Sequence, residues 1–267
     1  MQKLGLIAGN RRFPIMVAEA ASKKGEQVVA VAIRGETSAS IKKYAEKVYW
    51  IDLNEIEKAF EVLKSEGVSK VIMAGQVSPR LLFSRKLKEG RQSSILLDSL
   101  KDKKADTILG AVAFRLEKEG LEVLDSTIFL KDSLPKKGVL TRKQPSPQVR
   151  EDIDFGFDLA KSVAALDIGQ TVAVRSKVIV AVEAFEGTDN LIKRAGRLAR
   201  GGITVVKVSK PKQDMRFDVP VVGVKTIKQL AKVKAKCLAI EADKTLLIDR
   251  EDCISLADKK GISVIAL

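Results

Sequence analysis

From Lys207 to Gly223 the chain reads KVSKPKQDMRFDVPVVG, which sets three lysines, two aspartates and one arginine between two apolar stretches. The sequence has no histidine. That excludes a Ser-His-Asp triad, a Cys-His pair and a His-ligated zinc. An enzyme built from this sequence would lean on carboxylates, lysines or an oxygen-liganded metal such as Mg2+. Pro211 and Pro220 bias their neighbours towards extended backbone. If residues 214–219 are extended, Asp214, Arg216 and Asp218 share one face, and Met215, Phe217 and Val219 share the other. Asp214 and Asp218 then stand about 13 Å apart, too far to ligate one ion together. One would meet the ion while the other orients Arg216 or a lysine, and spacing does not choose between them. Lys207 and Lys210 suit phosphate oxygens as point charges. A charged edge strand guarded by lysines is the other reading of the same run.

Three further stretches carry polar groups where a strand hands over to the next element. EAFEGTDN sets Glu183, Glu186 and Asp189 close together, an oxygen-rich set suited to Mg2+ or to acid–base work. Thr188 or Asp189 could equally cap a helix there. AGNRRFP follows the first apolar run and precedes a helix, which is where doubly wound folds receive nucleotides. It lacks a G-x-G-x-x-G fingerprint, which argues against a nicotinamide-dependent oxidoreductase. Gly9 and Asn10 are the expected contacts to a nucleotide or other polar ligand. MAGQVSPR ends another strand-like run and offers Gln76 to the same crevice.

These groups need a scaffold. The chain has 267 residues, 45% of them hydrophobic, enough for a core and for two modest domains. Strand-like runs at Lys3–Gly9, Gln27–Ile33, Lys47–Leu53 and Lys70–Gly75 alternate with helical stretches at Phe13–Gly25 and Asn54–Gly67. The alternation predicts an α/β fold with a doubly wound, Rossmann-like parallel sheet in the first half. Helices are predicted over 94–104 and 105–120. A proline-containing stretch marks a boundary, giving domains at 1–132 and 148–267 with a linker at 133–147. The second half predicts a mixed α/β domain with a helix over 148–166, a hairpin around Arg175-Ser176-Lys177 and a helix over 188–201. Cys237 and Cys253 lie in apolar segments and are expected to be reduced and buried. No apolar run approaches a membrane span, and the start has no signal-peptide layout, so a cytoplasmic protein is expected. The net charge of +14 points to an anionic partner. Only 4% of residues are aromatic, which disfavours base-stacking platforms.

The sequence resembles the LpxI family of UDP-2,3-diacylglucosamine pyrophosphatases. KLGLIAGN with Pro14, LDIGQTVAV, VEAFEGTDN and KPKQDMRFDVPVVG carry the resemblance, supported by TLLIDRE and Ala257-Asp258. It implies a Rossmann-like first domain and an α/β second domain with substrate held between them. It implies Mg2+-dependent cleavage of UDP-2,3-diacylglucosamine to lipid X and UMP, by a cytoplasmic protein in peripheral contact with the inner membrane. Mn2+ is expected to substitute for Mg2+. The family's important aspartate lies in R-x-D-x-P, which here is Asp218. Asp214 and Glu186 are expected to assist it, and Asp218, Asp189 and Glu186 to hold the metal. Expected substrate contacts are Gly9, Asn10, Gln76, Thr188, Lys207, Lys210, Gln213 and Arg216. No nucleic acid is expected, and a homo-oligomer is allowed. The chain departs from the family at Arg11, where a glycine-rich turn is usual, at Lys104-Ala105-Asp106, and at Asp243. The alternative is a basic nucleotide- or nucleic-acid-binding module without catalysis.

Overall fold

A computed structural model of the chain describes residues 2–78 and 105–267. The helix expected over 94–104 lies outside the described residues, as do Pro79 and Arg80. The chain divides into two compact units. One comprises Met1–Lys131 and Asp214–Asp218; the other comprises Asp132–Gln213 and Val219–Leu267.

The first unit contains β1 (Lys3–Ala8), α1 (Phe13–Lys23), β2 (Gln27–Ile33), β3 (Lys47–Ile51), α2 (Ile56–Ser65), β4 (Lys70–Ala74), α3 (Ala105–Lys118) and β5 (Glu122–Val123). Its strands form a parallel sheet in the order β3-β2-β1-β4-β5. The central strands read as continuous apolar runs because helices can cover both faces of a parallel sheet. The spacing of Ile56, Ala59, Phe60 and Leu63 makes one buried stripe on α2. Gly5 lets that helix sit close, since a Cβ there would come within 2.7 Å of Leu63. The Asp214–Asp218 segment joins this unit through Phe217, which is buried with Val112, Ala113 and Leu116.

The second unit contains β6 (Gly138–Val139), α4 (Pro147–Ala165), β7 (Thr171–Arg175), β8 (Val178–Val182), α5 (Thr188–Leu198), β9 (Thr204–Lys207), β10 (Val221–Val222), α6 (Val224–Lys232), β11 (Cys237–Ile240), β12 (Leu246–Leu247), α7 (Arg250–Lys259) and β13 (Ser263–Ala266). Its main sheet has the order β6-β13-β11-β9-β7-β8. β9, β11 and β13 run parallel, whereas β6, β7 and β8 pair antiparallel. The first unit thus has a parallel sheet and the second a mixed one, the α/β architecture expected from the alternation of patterns. Period-two alternation divides the core. Val172 and Val174 face α4 with Ile153 and Ala160, while Ala173 faces the cluster of Leu191, Ile192, Ile227 and Leu230. Cys237 and Cys253 are both buried, and burial pushes each thiol up to about 12.

The expected hairpin is present. Ser176 and Lys177 both have positive φ, 52° and 57°, the signature of a tight two-residue turn. Neither is a glycine, so the turn needs outside support. Asp152 on α4 supplies it, accepting hydrogen bonds from the backbone N–H of Ser176 (3.2 Å) and Lys177 (2.6 Å). Asp152→Ala should therefore lower stability by about 1–3 kcal/mol, because two backbone donors of the turn lose a charged acceptor. A urea midpoint equal to wild type would remove Asp152 as the support of this turn.

Candidate active-site groups

In the first unit, the turns after β1 and β4 clasp each other at the carboxyl ends of two neighbouring strands. Gly9 N–H donates to Ala74 O (2.8 Å) and Asn10 N–H donates to Gln76 O (2.7 Å). The approach requires glycine: a Cβ on Gly9 would lie 2.5 Å from Gln76 O, and Gly75 has φ +88°. Strand order reverses at β1, and the crevice beyond such a reversal is where open α/β sheets bind ligands. Gly9, Asn10 and Gln76 are thus brought together. Asn10 Nδ2 donates to Glu36 Oε2 at 2.6 Å, and Asn10 Oδ1 is buried without a hydrogen-bond partner. Sequence reasoning missed Glu36; counting on from the end of β2 would have found it.

The Asp214–Asp218 segment is not extended, so the alternating faces expected for it do not form. Asp214 Oδ1 accepts from the backbone N–H of Arg216 at 3.0 Å, and Phe217 N–H donates to Asp214 O at 3.3 Å. This is a side-chain-closed turn, which aspartate forms readily. The Arg216 guanidinium folds back onto the Asp214 carboxylate (Nη2–Oδ2 2.7 Å) and reaches Glu117 at 2.6 Å. That guanidinium holds the Asp214 carboxyl below the usual carboxylate range. Asp214 is therefore committed to Arg216. Asp218 follows with φ +55°, a left-handed conformation that costs most residues energy and that aspartate tolerates.

In the second unit, Lys207 is buried at the end of β9. Its ammonium donates to Thr188 Oγ1 (2.9 Å) and Thr171 Oγ1 (3.4 Å). Thr188 Oγ1 in turn donates to Glu183 Oε1 at 2.8 Å. Lys207, Thr188 and Glu183 thus form one polar chain. Lys210 is paired with Asp167 at 2.6 Å, and Gln213 Oε1 accepts from the Lys210 backbone N–H and from Gln170. Glu186 and Asp189 hold different cations. Glu186 pairs with Arg194 (2.5 Å). Burial pushes the Glu186 carboxyl up, but Arg194 and two backbone N–H groups outweigh it and leave the group below its ordinary value. Asp189 is buried, with Lys225 Nζ 3.1 Å from Oδ2 and the Thr226 hydroxyl 3.3 Å from Oδ1. Among the described residues, no three Asp, Glu, Cys or His side chains converge to hold a metal ion.

A second network, also unread in the sequence, pins Ser209 just after β9. Glu241 Oε2 accepts from Ser209 N–H (2.8 Å) and its hydroxyl (2.9 Å), and Lys161 bridges Glu241 (3.0 Å) and Ser209 O (2.9 Å). Burial raises the Glu241 pKa, but Ser209, Lys161 and Lys244 more than offset it, so the folded value lies below the ordinary one. The unfolded chain then takes up this proton first as pH falls. The stabilisation is complete above the ordinary carboxylate range and is lost as pH drops through the lower folded value. Glu241→Gln should be less stable than wild type by about 1–3 kcal/mol at pH 7. The gap in urea midpoints should close towards acid pH; a gap that ignored pH would deny the carboxylate this role.

The LpxI N-terminal domain family model matches residues 3–133, and the LpxI C-terminal domain family model matches residues 136–265. The UDP-2,3-diacylglucosamine pyrophosphatase LpxI of Caulobacter vibrioides is 32% identical over 277 residues, covering 100% of this chain and 98% of that protein. Among solved structures, the leucoanthocyanidin reductase–NADPH complex from Vitis vinifera is 14% identical, covering 56% of this chain and 41% of that one, with a TM-score of 0.30. The biotin carboxylase subunit of pyruvate carboxylase is 15% identical, covering 75% and 42%, with a TM-score of 0.29. This chain spans about two-fifths of the length of those solved chains, and likeness at such scores carries no argument. With both domains matched in order and a relative aligned from end to end, the chain belongs to the LpxI family.

Proposed function

We propose that this chain hydrolyses the pyrophosphate bond of UDP-2,3-diacylglucosamine, releasing lipid X and UMP in lipid A biosynthesis. One observation carries the reading: the full-length match to a relative named for acting on that substrate. Asp218 is the lead catalytic residue. Asp214 acts through Arg216, since the two are already bound to each other.

A Mg2+ ion keeps several waters and takes one or two carboxylates plus substrate phosphate oxygens, so a single carboxylate at Asp218 fits it. Glu186 and Asp189 were expected as ligands, but each already holds a cation. In this proposal they shape the start of α5 instead. Such an ion would offset charge on the phosphate oxygens and lower the pKa of an attacking water, and Mn2+ would serve in its place. Lys207 meets a phosphate oxygen, because among the described residues its buried ammonium is matched only by hydroxyls and gains most from an anion. Lys210, neutralised by Asp167, contributes less charge and together with Gln213 positions the loop. Thr188 orients Lys207, and Gly9, Asn10 and Gln76 take the nucleotide.

The two acyl chains of that substrate place the protein, in this proposal, on the cytoplasmic side of the inner membrane in peripheral contact. No helix among the described residues is long and apolar enough to cross a membrane. Leu166 and Ile168 are exposed after α4, and the net charge of +14 suits acidic headgroups. Binding to anionic phospholipid vesicles should fall as salt rises; binding indifferent to salt and lipid charge would remove the membrane contact.

The deciding experiment is UMP release from UDP-2,3-diacylglucosamine, with and without Mg2+, for wild type and Asp218→Asn. Asparagine also tolerates positive φ, so the variant should melt like wild type. Its turnover should fall on the order of 10²–10³-fold or more. Near-normal release would displace Asp218. Substrate binding without release by the wild type would favour the non-catalytic nucleotide-binding alternative.

A further inference from the structure

Glu36 has no part in the chemistry above. It lies just past β2, on the same side of the sheet as the Gly9–Gln76 clasp. Its Oε2 accepts from Asn10 Nδ2 at 2.6 Å and from the Ser78 backbone N–H at 2.8 Å. Those two bonds tie the turn after β1 and the turn after β4 to one carboxylate and fix how it points. Its other oxygen, Oε1, makes no hydrogen bond or ion pair among the described residues. In a chain of net charge +14, Glu66, Glu119, Glu186, Asp214 and Glu241 each hold a lysine or arginine. Glu36 does not. Beside it, Asn10 Oδ1 is buried and also lacks a donor.

An anionic acceptor there repels a phosphate and suits a ligand that presents hydrogen-bond donors. A ribose does so through its paired hydroxyls. In open α/β sheets a carboxylate past the second strand can read the ribose of a nucleotide bound in the crevice beyond the strand ends. We propose that Glu36, through Oε1, accepts a ribose hydroxyl of the bound uridine nucleotide. Glu36 is then the residue that separates ribonucleotides from deoxyribonucleotides. The identity of the nucleotide rests on the proposed function; the preference for ribose does not.

Calorimetric titration of the full chain with UMP and with 2′-deoxy-UMP tests this. The wild type should bind UMP about tenfold more tightly, the size of one good hydrogen bond to a charged group. In Glu36→Gln, Ser78 N–H and Asn10 Nδ2 retain the amide oxygen and turn the NH2 outward. An anionic acceptor is exchanged for a neutral donor, and the ratio should fall towards one while the melting temperature holds. Equal affinity of the wild type for both nucleotides overturns the inference, whatever the variant does. A folded variant that keeps the tenfold ratio also overturns it. UMP release measured alongside separates the two readings. Ribose preference without hydrolysis sinks the reaction and leaves Glu36 standing; hydrolysis without ribose preference does the reverse.

Discussion

A charge removed from water must be matched, and that constraint distributes the work in this molecule. A carboxylate already bound to a guanidinium or ammonium has its electrostatic demand met and offers little to a substrate. Asp214 is matched by Arg216, Glu186 by Arg194, Asp189 by Lys225, and Glu241 by Lys161. These pairs shape loops. The groups matched, among the described residues, by neutral partners alone are different in kind: Lys207 among threonine hydroxyls, and Glu36 between an amide and a backbone N–H. They have interaction energy left for a ligand, which is why the functional reading draws on them.

The pairs also act on the backbone. Ser209 has its N–H and hydroxyl held by Glu241 and its carbonyl held by Lys161, so the chain leaves β9 in one direction. Four residues later Gln213 folds onto Lys210 N–H, and then Asp214 closes its own turn over Arg216. The sequence between Lys207 and Asp218 thus becomes a series of side-chain-closed bends.

In the first unit the equivalent constraint is steric. Gly9 and Gly75 permit two turns to approach within hydrogen-bond distance, and any Cβ at Gly9 would collide with Gln76 backbone. The G-x-G-x-x-G spacing, which opens a turn for a pyrophosphate, is replaced by a turn closed on its neighbour. The polar groups that remain at its edge are acceptors, which suits a sugar better than a phosphate.

Periodicity alone determined the layered α/β fold, the helical stripe of Ile56, Phe60 and Leu63, the hairpin at Ser176-Lys177 and the two buried thiols. Each depends on local pattern and burial, which residue order encodes directly. The motif stretches likewise determined the family. Only the tertiary structure decided that residues 214–218 bend rather than extend, because Asp214 finds a donor in the backbone of Arg216 and Phe217 finds a cavity among α3 side chains. Only it decided which carboxylates are occupied: Glu186 and Asp189 are three apart in sequence yet hold cations from different helices, α5 and α6. Partners such as Lys161–Glu241 lie 80 residues apart, and no spacing rule in one sequence can supply a contact that folding alone creates.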